Sequence, residues 1–401
     1  MSTSRSDGTG MTPSREALFR IVAALVADEL GARRGGAIDP AESRGWTEAT
    51  TIDEDGLGVD SLARLELVAR VAGFFHMPET GAEDYLLVHR SLGDWAEIVG
   101  ESLKRYAARV TFQTSGSTGA PKRIAHEWAD LDAEAEAAAA ALPGVRRVLA
   151  LAPPHHIYGF LWTVLLPQAA GAAVCDLRGL APGAALREAG PGDLIVATPF
   201  LWDLALRSGG DARGAIGLTS TAPAPARLWD AARAGGVARL LEIYGSTETG
   251  GLGWRDAADS PFGPAPHLLR DGETLRRARD GVALAPPDDL AWTADGRFRP
   301  AGRRDGAVQV GGVNVWPERV AAVLAEHPLA AECAVRLDHE TARLKAFVRP
   351  AAEADPAALQ AALSRFAAER LTPPERPTRF DVGPALPRTE TGKLRDWATA
   401  D

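Results

Sequence analysis

Thr114-Ser115-Gly116-Ser117-Thr118-Gly119-Ala120-Pro121-Lys122 follows directly on the apolar Val110-Thr111-Phe112. Small side chains let backbone N–H groups close on an anion, the hydroxyls add donors, and the lysine brings a compensating charge. The chemistry points to a bound phosphate. The segment is not a Walker loop, because Arg123 follows Lys122 where that motif needs Ser or Thr. A flexible Gly/Ser/Thr linker is the competing reading.

Three further segments follow in order: Tyr244-Gly245-Ser246-Thr247-Glu248; Gly302-Arg303-Arg304-Asp305 running on to Gly311-Gly312 and Pro317-Glu318; and Pro387-Arg388-Thr389-Glu390-Thr391-Gly392-Lys393. Together with the first stretch they resemble the adenylate-forming superfamily of acyl-CoA synthetases, aryl acid ligases and adenylation domains, over roughly residues 110 to 395. The match is to its phosphate loop, its aromatic-Gly-x-Thr-Glu motif, its hinge and its C-terminal lysine motif.

Composition fits a soluble multidomain protein. The chain has 401 residues, 46% apolar and 24% charged, with a net charge of −9 that disfavours a nucleic-acid partner. Cys175 and Cys333 read as buried free thiols. No apolar run reaches membrane-spanning length and Met1–Pro13 lacks a signal-peptide core, so no membrane partner and a cytoplasmic location are expected.

Residues 1–13 read as a disordered tail. Apolar residues at Leu18, Ile21, Val22, Leu25, Val26 and Leu30 have helical spacing, as do Leu62, Leu65, Val68, Ala69 and Ala72 beyond Asp60-Ser61, and Tyr85 to Val99 is a further helical pattern. A small all-α bundle over 14–103 is predicted. Short apolar runs, Val148–Ala152 and Leu194–Ala197, then alternate with helical stretches at Asp130–Leu142, Trp202–Arg207 and Ala226–Ala234. That alternation predicts a trimmed α/β adenylation core over 104–304. Strands at Val308–Val310 and Cys333–Val335, with helices at Pro317–Ala325 and Pro356–Arg370, predict a small mobile α+β C-terminal lid over 305–401.

Gly58-Val59-Asp60-Ser61-Leu62 resembles the attachment site of acyl carrier proteins, which implies 4'-phosphopantetheine on Ser61, installed by a phosphopantetheinyl transferase. The same dipeptide is also a common helix N-cap.

The superfamily resemblance implies the remaining roles. ATP is held at its β- and γ-phosphates by Thr114, Ser115, Gly116, Ser117, Thr118, Gly119 and Lys122. Tyr244, Gly245 and Ser246 lie against the adenine, Thr247 touches the α-phosphate, and Glu248 binds Mg2+. Asp295, unless it belongs to a later turn, holds the ribose, and Arg303 binds the ribose hydroxyls or the phosphate. Asp305 is the hinge, and Lys393 bridges the carboxylate and α-phosphate oxygens. His156, in Pro153-Pro154-His155-His156-Ile157-Tyr158-Gly159, is expected to line the acid pocket, with Gly250 and Gly251 admitting a flat ring. Trp162, Trp202 and Trp254 permit an aromatic lining.

No aspartate near His156 offers a partner to an ammonium, so a non-amino, aryl acid such as a hydroxybenzoate or cinnamate is expected. The expected acceptor is a phosphopantetheine thiol, on Ser61 or on a separate acyl carrier protein serving a downstream ketosynthase, as in the aryl acid:carrier-protein ligases. The alternatives are an acid:CoA ligase whose bundle only docks, and a scaffold with a dead ligase part. Retention of Glu248, Asp305 and Lys393 argues against the last reading, and the helical bundle standing where the family has a large α/β region before the phosphate loop keeps it open. Gln309 in place of a hinge-strand lysine and the short core before the hinge are further departures.

Overall fold

A computed structural model describes residues 11–114, 122–338, 340–351, 355–387, 394 and 396–397. The phosphate-loop residues Ser115 to Pro121, and Lys393, lie outside the described residues.

Helix α1 (Arg15–Arg33) starts at Ser14, whose side chain accepts from the Ala17 N–H. After the short α2 (Pro40–Arg44), α3 (Ser61–Phe75) is capped by Asp60, whose carboxylate accepts from the Ala63 N–H at 2.7 Å. Such a cap satisfies one of the orphan donors of the first turn. The stretch predicted as one helix from Tyr85 is two, α4 (Glu83–Val88) and α5 (Leu92–Arg105), with Ser91 capping the second.

Strands β1 (Arg109–Thr114) and β2 (Lys122–Glu127) form an antiparallel hairpin, in which Thr114 pairs with Lys122. After α6 (Trp128–Ala141) comes a seven-stranded sheet. Its strands are β3 (Arg147–Ala150), β4 (Ala173–Asp176), β5 (Asp193–Val196), β6 (Ile216–Thr219), β7 (Arg239–Ser246), β8 (Gly250–Arg255) and β9 (Gly263–Pro264), in the order β4-β3-β5-β6-β7-β8-β9. The first five in that order run parallel, β8 pairs antiparallel with β7, and β9 pairs antiparallel with β8.

Side chains alternate between two cores, as the two-residue period of a strand requires. Val148, Leu194, Val196 and Leu241 enter one, and Leu149, Ile195 and Leu240 the other. The first core is continuous with the N-terminal helices. Ile21 and Leu25 of α1, Leu67, Phe74 and Phe75 of α3, and Trp95 of α5 belong to the same cluster as Phe112, Trp128 and Phe160. Phe74 meets Phe112 at 5.4 Å and Phe160 at 6.1 Å between ring centroids, edge to face. The helices predicted as a bundle over 14–103 thus share this core: α3 ends in a Phe-Phe pair that belongs to it, whereas Leu62 and Leu65, expected on the same apolar face, are exposed.

The described residues form two compact units, the first containing 11–114, 122–286 and 290–299, the second 287–289 and 300 onwards. This division also differs from the predicted boundaries at 103 and 304. The second unit carries the hairpin β14 (Val308–Val310) and β15 (Val313–Val315), whose turn residues Gly311 and Gly312 both have positive φ, as a two-residue hairpin turn demands. A three-stranded sheet follows, β16 (Ala330–Asp338), β17 (Arg343–Pro350) and β18 (Arg379–Val382), packed with helices Pro317–Ala325 and Pro356–Arg370 around one core. Strand numbers 10 to 13 are the ribbons β10 (Leu268–Asp271) with β11 (Thr274–Arg277), and β12 (Asp288–Trp292) with β13 (Phe298–Arg303).

Candidate active site

In an open α/β sheet, ligands bind beyond the carboxyl ends of the parallel strands. The Tyr244–Glu248 motif lies there. Strand β7 ends in Tyr244-Gly245-Ser246, and the turn Thr247-Glu248-Thr249 leads into β8. A bulge falls between Tyr244 and Gly245, and a Cβ on Gly245 would stand 2.2 Å from the Gly250 carbonyl oxygen. Glycine is required at 245 by that close approach.

The turn brings two distant motifs together. Lys122, at the foot of β2, places its ammonium 3.3 Å from Glu248 Oε1. Partial burial pushes the Glu248 carboxyl up, but hydrogen bonds from its own N–H, Lys122 and Ser246 outweigh this and hold it below the usual glutamate value. Glu248 is thus an ionised, half-buried carboxylate beside the phosphate-loop lysine, the donor set a hard divalent cation takes while keeping most of its waters. Behind it, burial lowers the His126 imidazole below its ordinary value, and Nε2 of His126 donates to the Thr247 carbonyl at 2.5 Å. The Ser246 and Thr249 hydroxyls share a hydrogen bond of 3.0 Å. The Tyr244 ring packs against Phe262 and Phe298, at 5.5 and 5.7 Å.

Several expectations change. Gly250 and Gly251 are buried and face a carboxyl group rather than a ring: a Cβ on either would stand 2.5 Å from an oxygen of Glu134. Glu134, deep on α6, accepts from the Gly251 N–H at 2.9 Å and stands 3.8 Å from His267 Nε2. Burial lifts its pKa to about 8 and takes that of His267 down to about 4, so both are neutral at pH 7. Nothing in the sequence marks Glu134 except an acid within an alanine-rich run. Trp162 and Trp202 are core residues, Trp202 donating to the Leu218 carbonyl at 2.9 Å, and Trp254 stacks near Trp162 at 5.5 Å. His156 is exposed, its ring 4.2 Å from that of the buried His155, which lies 3.8 Å from Asp28 of α1.

Thr221, directly beyond β6, holds φ +80°, a strained value for a β-branched residue, while the adjacent Ser220 hydroxyl donates to the Ile243 carbonyl at 2.8 Å. Such strain costs about 1–3 kcal/mol and clusters at functional sites. The run Ser220-Thr221-Ala222-Pro223 after a buried strand was its only trace in the sequence.

In the second unit Arg303 pairs with Asp305 at 2.7 Å, and this bond holds the Asp305 carboxyl below the usual range. Asp295 sits in an exposed turn, bonded to Thr293 at 2.5 Å and 3.5 Å from Arg297. The carboxylates beside Arg303 and Arg304 are instead Asp288, at 4.0 Å, and Asp289, at 2.7 Å. Ser61 is exposed as the first residue of α3. The two cysteines are free thiols, and burial pushes the Cys333 thiol up to about 11. Among the described residues no helix is long and apolar enough to cross a membrane.

Known proteins share this arrangement. Residues 101–272 match the AMP-binding enzyme family, and residues 319–393 match the AMP-binding enzyme C-terminal domain. The chain is 44% identical over 408 residues to a 4-coumarate–CoA ligase of Cereibacter sphaeroides, covering 96% of each protein. It is 40% identical to a 4-coumarate–CoA ligase of Halorhodospira halophila, covering 94% of this chain and 98% of that one. An o-succinylbenzoate CoA synthetase of Bacillus subtilis shares the fold, with a TM-score of 0.57 at 19% identity over 94% of this chain and 91% of that chain. An amide bond synthetase of Marinactinospora thermotolerans does so too, with a TM-score of 0.57 at 19% identity over 97% and 96%. With relatives matched along almost its whole length, the chain belongs to the AMP-binding enzymes and is an ATP-dependent, AMP-forming acid–thiol ligase.

Proposed function

We propose that this enzyme activates 4-coumarate, or a closely related hydroxycinnamate, and transfers the acyl group to coenzyme A. The observation that carries the reading is the end-to-end match, at 40–44% identity, to 4-coumarate–CoA ligases. The sequence alone favoured a carrier-protein acceptor. Coenzyme A replaces it, because α3, which bears Ser61, is packed into the ligase core and the relatives named as CoA ligases span that same region. The Asp60-Ser61-Leu62 resemblance is accounted for by the Asp60 cap.

In the first half-reaction a carboxylate oxygen of the acid attacks the α-phosphorus, and the bond to the bridging oxygen breaks to release pyrophosphate. Charge builds on the phosphate oxygens, where fixed donors and cations are most effective. Residues Thr114 to Lys122 cradle the β- and γ-phosphates. Glu248 would hold Mg2+, which neutralises phosphate charge when bound. Tyr244, Gly245 and Ser246 border the adenine, with Thr247 at the α-phosphate and the strained Thr221 backbone beside it. The ribose role passes from Asp295 to Asp288, which stands next to Arg303, or to Asp289, which stands next to Arg304. Lys393 bridges the reacting oxygens, and Asp305 acts as the hinge. In the second half-reaction the thiol sulfur attacks the acyl carbon and AMP leaves with the bonding pair. His156 borders the acid.

Incubation with ATP, Mg2+ and 4-coumarate, with either coenzyme A or a phosphopantetheinylated carrier protein as acceptor, tests this. The expected products are coumaroyl-CoA and AMP. Acyl mass on the carrier or on the Ser61 peptide, with no acyl-CoA, would overturn the assignment of the acceptor.

A further inference from the structure

The chain immediately after Lys393 is tied to the sheet of the second unit. The Leu394 carbonyl accepts from the Arg336 guanidinium at 2.7 Å. Asp396 stands 2.9 Å from the Lys345 ammonium, and the Trp397 carbonyl accepts from the same ammonium at 2.8 Å. The Trp397 indole N–H donates to Asp381 Oδ2 at 2.9 Å, and its ring meets Phe347 edge-on at 5.6 Å with the Lys345 ammonium 5.1 Å away. Lys345 and Trp397 are only 6% and 7% exposed.

Arg336 and Lys345 are direct cross-strand partners on β16 and β17. Two cations so placed repel each other, and a buried ammonium is costly unless its donors are matched. Both reach for the same short tail, whose carbonyls and Asp396 carboxylate supply the compensation. The sheet is built to receive Leu394, Asp396 and Trp397.

We infer that Arg336, Lys345, Asp381 and Trp397 form a clamp on the chain directly beyond Lys393, and that they are positioning residues for the adenylation half-reaction. The inference rests on Lys393 serving that half-reaction. Leu394 is one Cα step of about 3.8 Å from Lys393, so its tether fixes one end of the lysine's loop. A displacement of about 1 Å at such a group costs about 100-fold in rate.

The test compares the two half-reactions in the full-length enzyme. Trp397→Ala should slow pyrophosphate-releasing adenylation about 100-fold, while leaving thioester formation from preformed acyl-adenylate and coenzyme A within about twofold. Trp397→Phe keeps the ring over Lys345 and should recover most of the rate. Arg336→Met, which removes the tie to Leu394 and relieves the repulsion from Lys345 while leaving the Trp397 contacts in place, should show the same split between half-reactions and serves where Trp397→Ala does not fold. Unchanged adenylation in Arg336→Met, or equal loss in both half-reactions, overturns the clamp. Lys393→Ala run in parallel separates the two claims. If it abolishes adenylation while the clamp variants do not, only the clamp fails; if it leaves adenylation intact, the role of Lys393 fails and the clamp's purpose with it.

Discussion

Replacing Glu134 by glutamine probes the support beneath the Glu248 turn, with a magnitude that follows from its burial. Glu134 is 6% exposed, and its pKa rises from an ordinary 4.5 to about 8 because burial disfavours the charged form. At 1.36 kcal/mol per pH unit, that rise corresponds to about 5 kcal/mol between the two protonation states. The folded pKa lies above the unfolded one, so the associated stability is fully present below pH 4.5 and is lost as pH climbs towards 8. Across that window the folded state holds a proton that the unfolded state has released.

Glutamine keeps an oxygen for the Gly251 N–H and has no proton to lose. Urea denaturation of both proteins at pH 5, 6, 7 and 8 should therefore show curves that diverge with pH. The variant's relative stability should rise by about 1 kcal/mol per pH unit, reaching about 3 kcal/mol by pH 7 relative to its value at pH 4.5. Parallel curves would mean that Glu134 is already ionised in the folded protein, and the neutral-acid account would be wrong. Glu134→Ala should be less stable than Glu134→Gln by about 2–4 kcal/mol at every pH, because it opens a cavity and leaves the Gly251 N–H without its acceptor.

Three further outcomes are expected. Glu248→Gln should raise the Mg2+ concentration needed for half-maximal adenylation by at least about tenfold, measured by pyrophosphate exchange, since it removes the anionic ligand; an unchanged requirement would remove Glu248 from the metal site. Phe74→Ala should cost about 3–5 kcal/mol in one cooperative transition reported alike by N-terminal and sheet probes; separate transitions would restore an independent bundle. Ser61→Ala should leave coenzyme A acylation unchanged within about twofold, because the N-cap is Asp60 and the serine side chain is exposed; a large loss would give this serine a part in the reaction.

The sequence revealed what depends on neighbouring residues. The helices Pro317–Ala325 and Pro356–Arg370 are set by local chemistry and stand as read, and the Asp60 cap and the Gly311-Gly312 turn, which the sequence offered as an attachment site and part of a hinge motif, are local features as well. What it concealed depends on partners far along the chain. Glu134 reads as a solvated acid in an alanine-rich helix until the Gly250-Gly251 backbone is brought against it. The Phe74-Phe75 pair fits a small bundle as well as a larger core until Phe112 and Phe160 close on it. Asp288 and Asp289 follow Pro286-Pro287 with nothing local to set them apart from Asp295, until the chain brings them beside Arg303 and Arg304. The tail at Trp397 has no pattern until the cross-strand cations Arg336 and Lys345 give it a seat.

Pyrophosphate exchange into ATP, with coumarate as the only variable, bears most directly on the central claim that this sheet edge makes an acyl-adenylate. Exchange should appear on adding 4-coumarate, need neither coenzyme A nor a carrier protein, and be absent with an amino acid of similar size. A folded enzyme that exchanged pyrophosphate with no aryl acid, or only with the amino acid, would contradict the account.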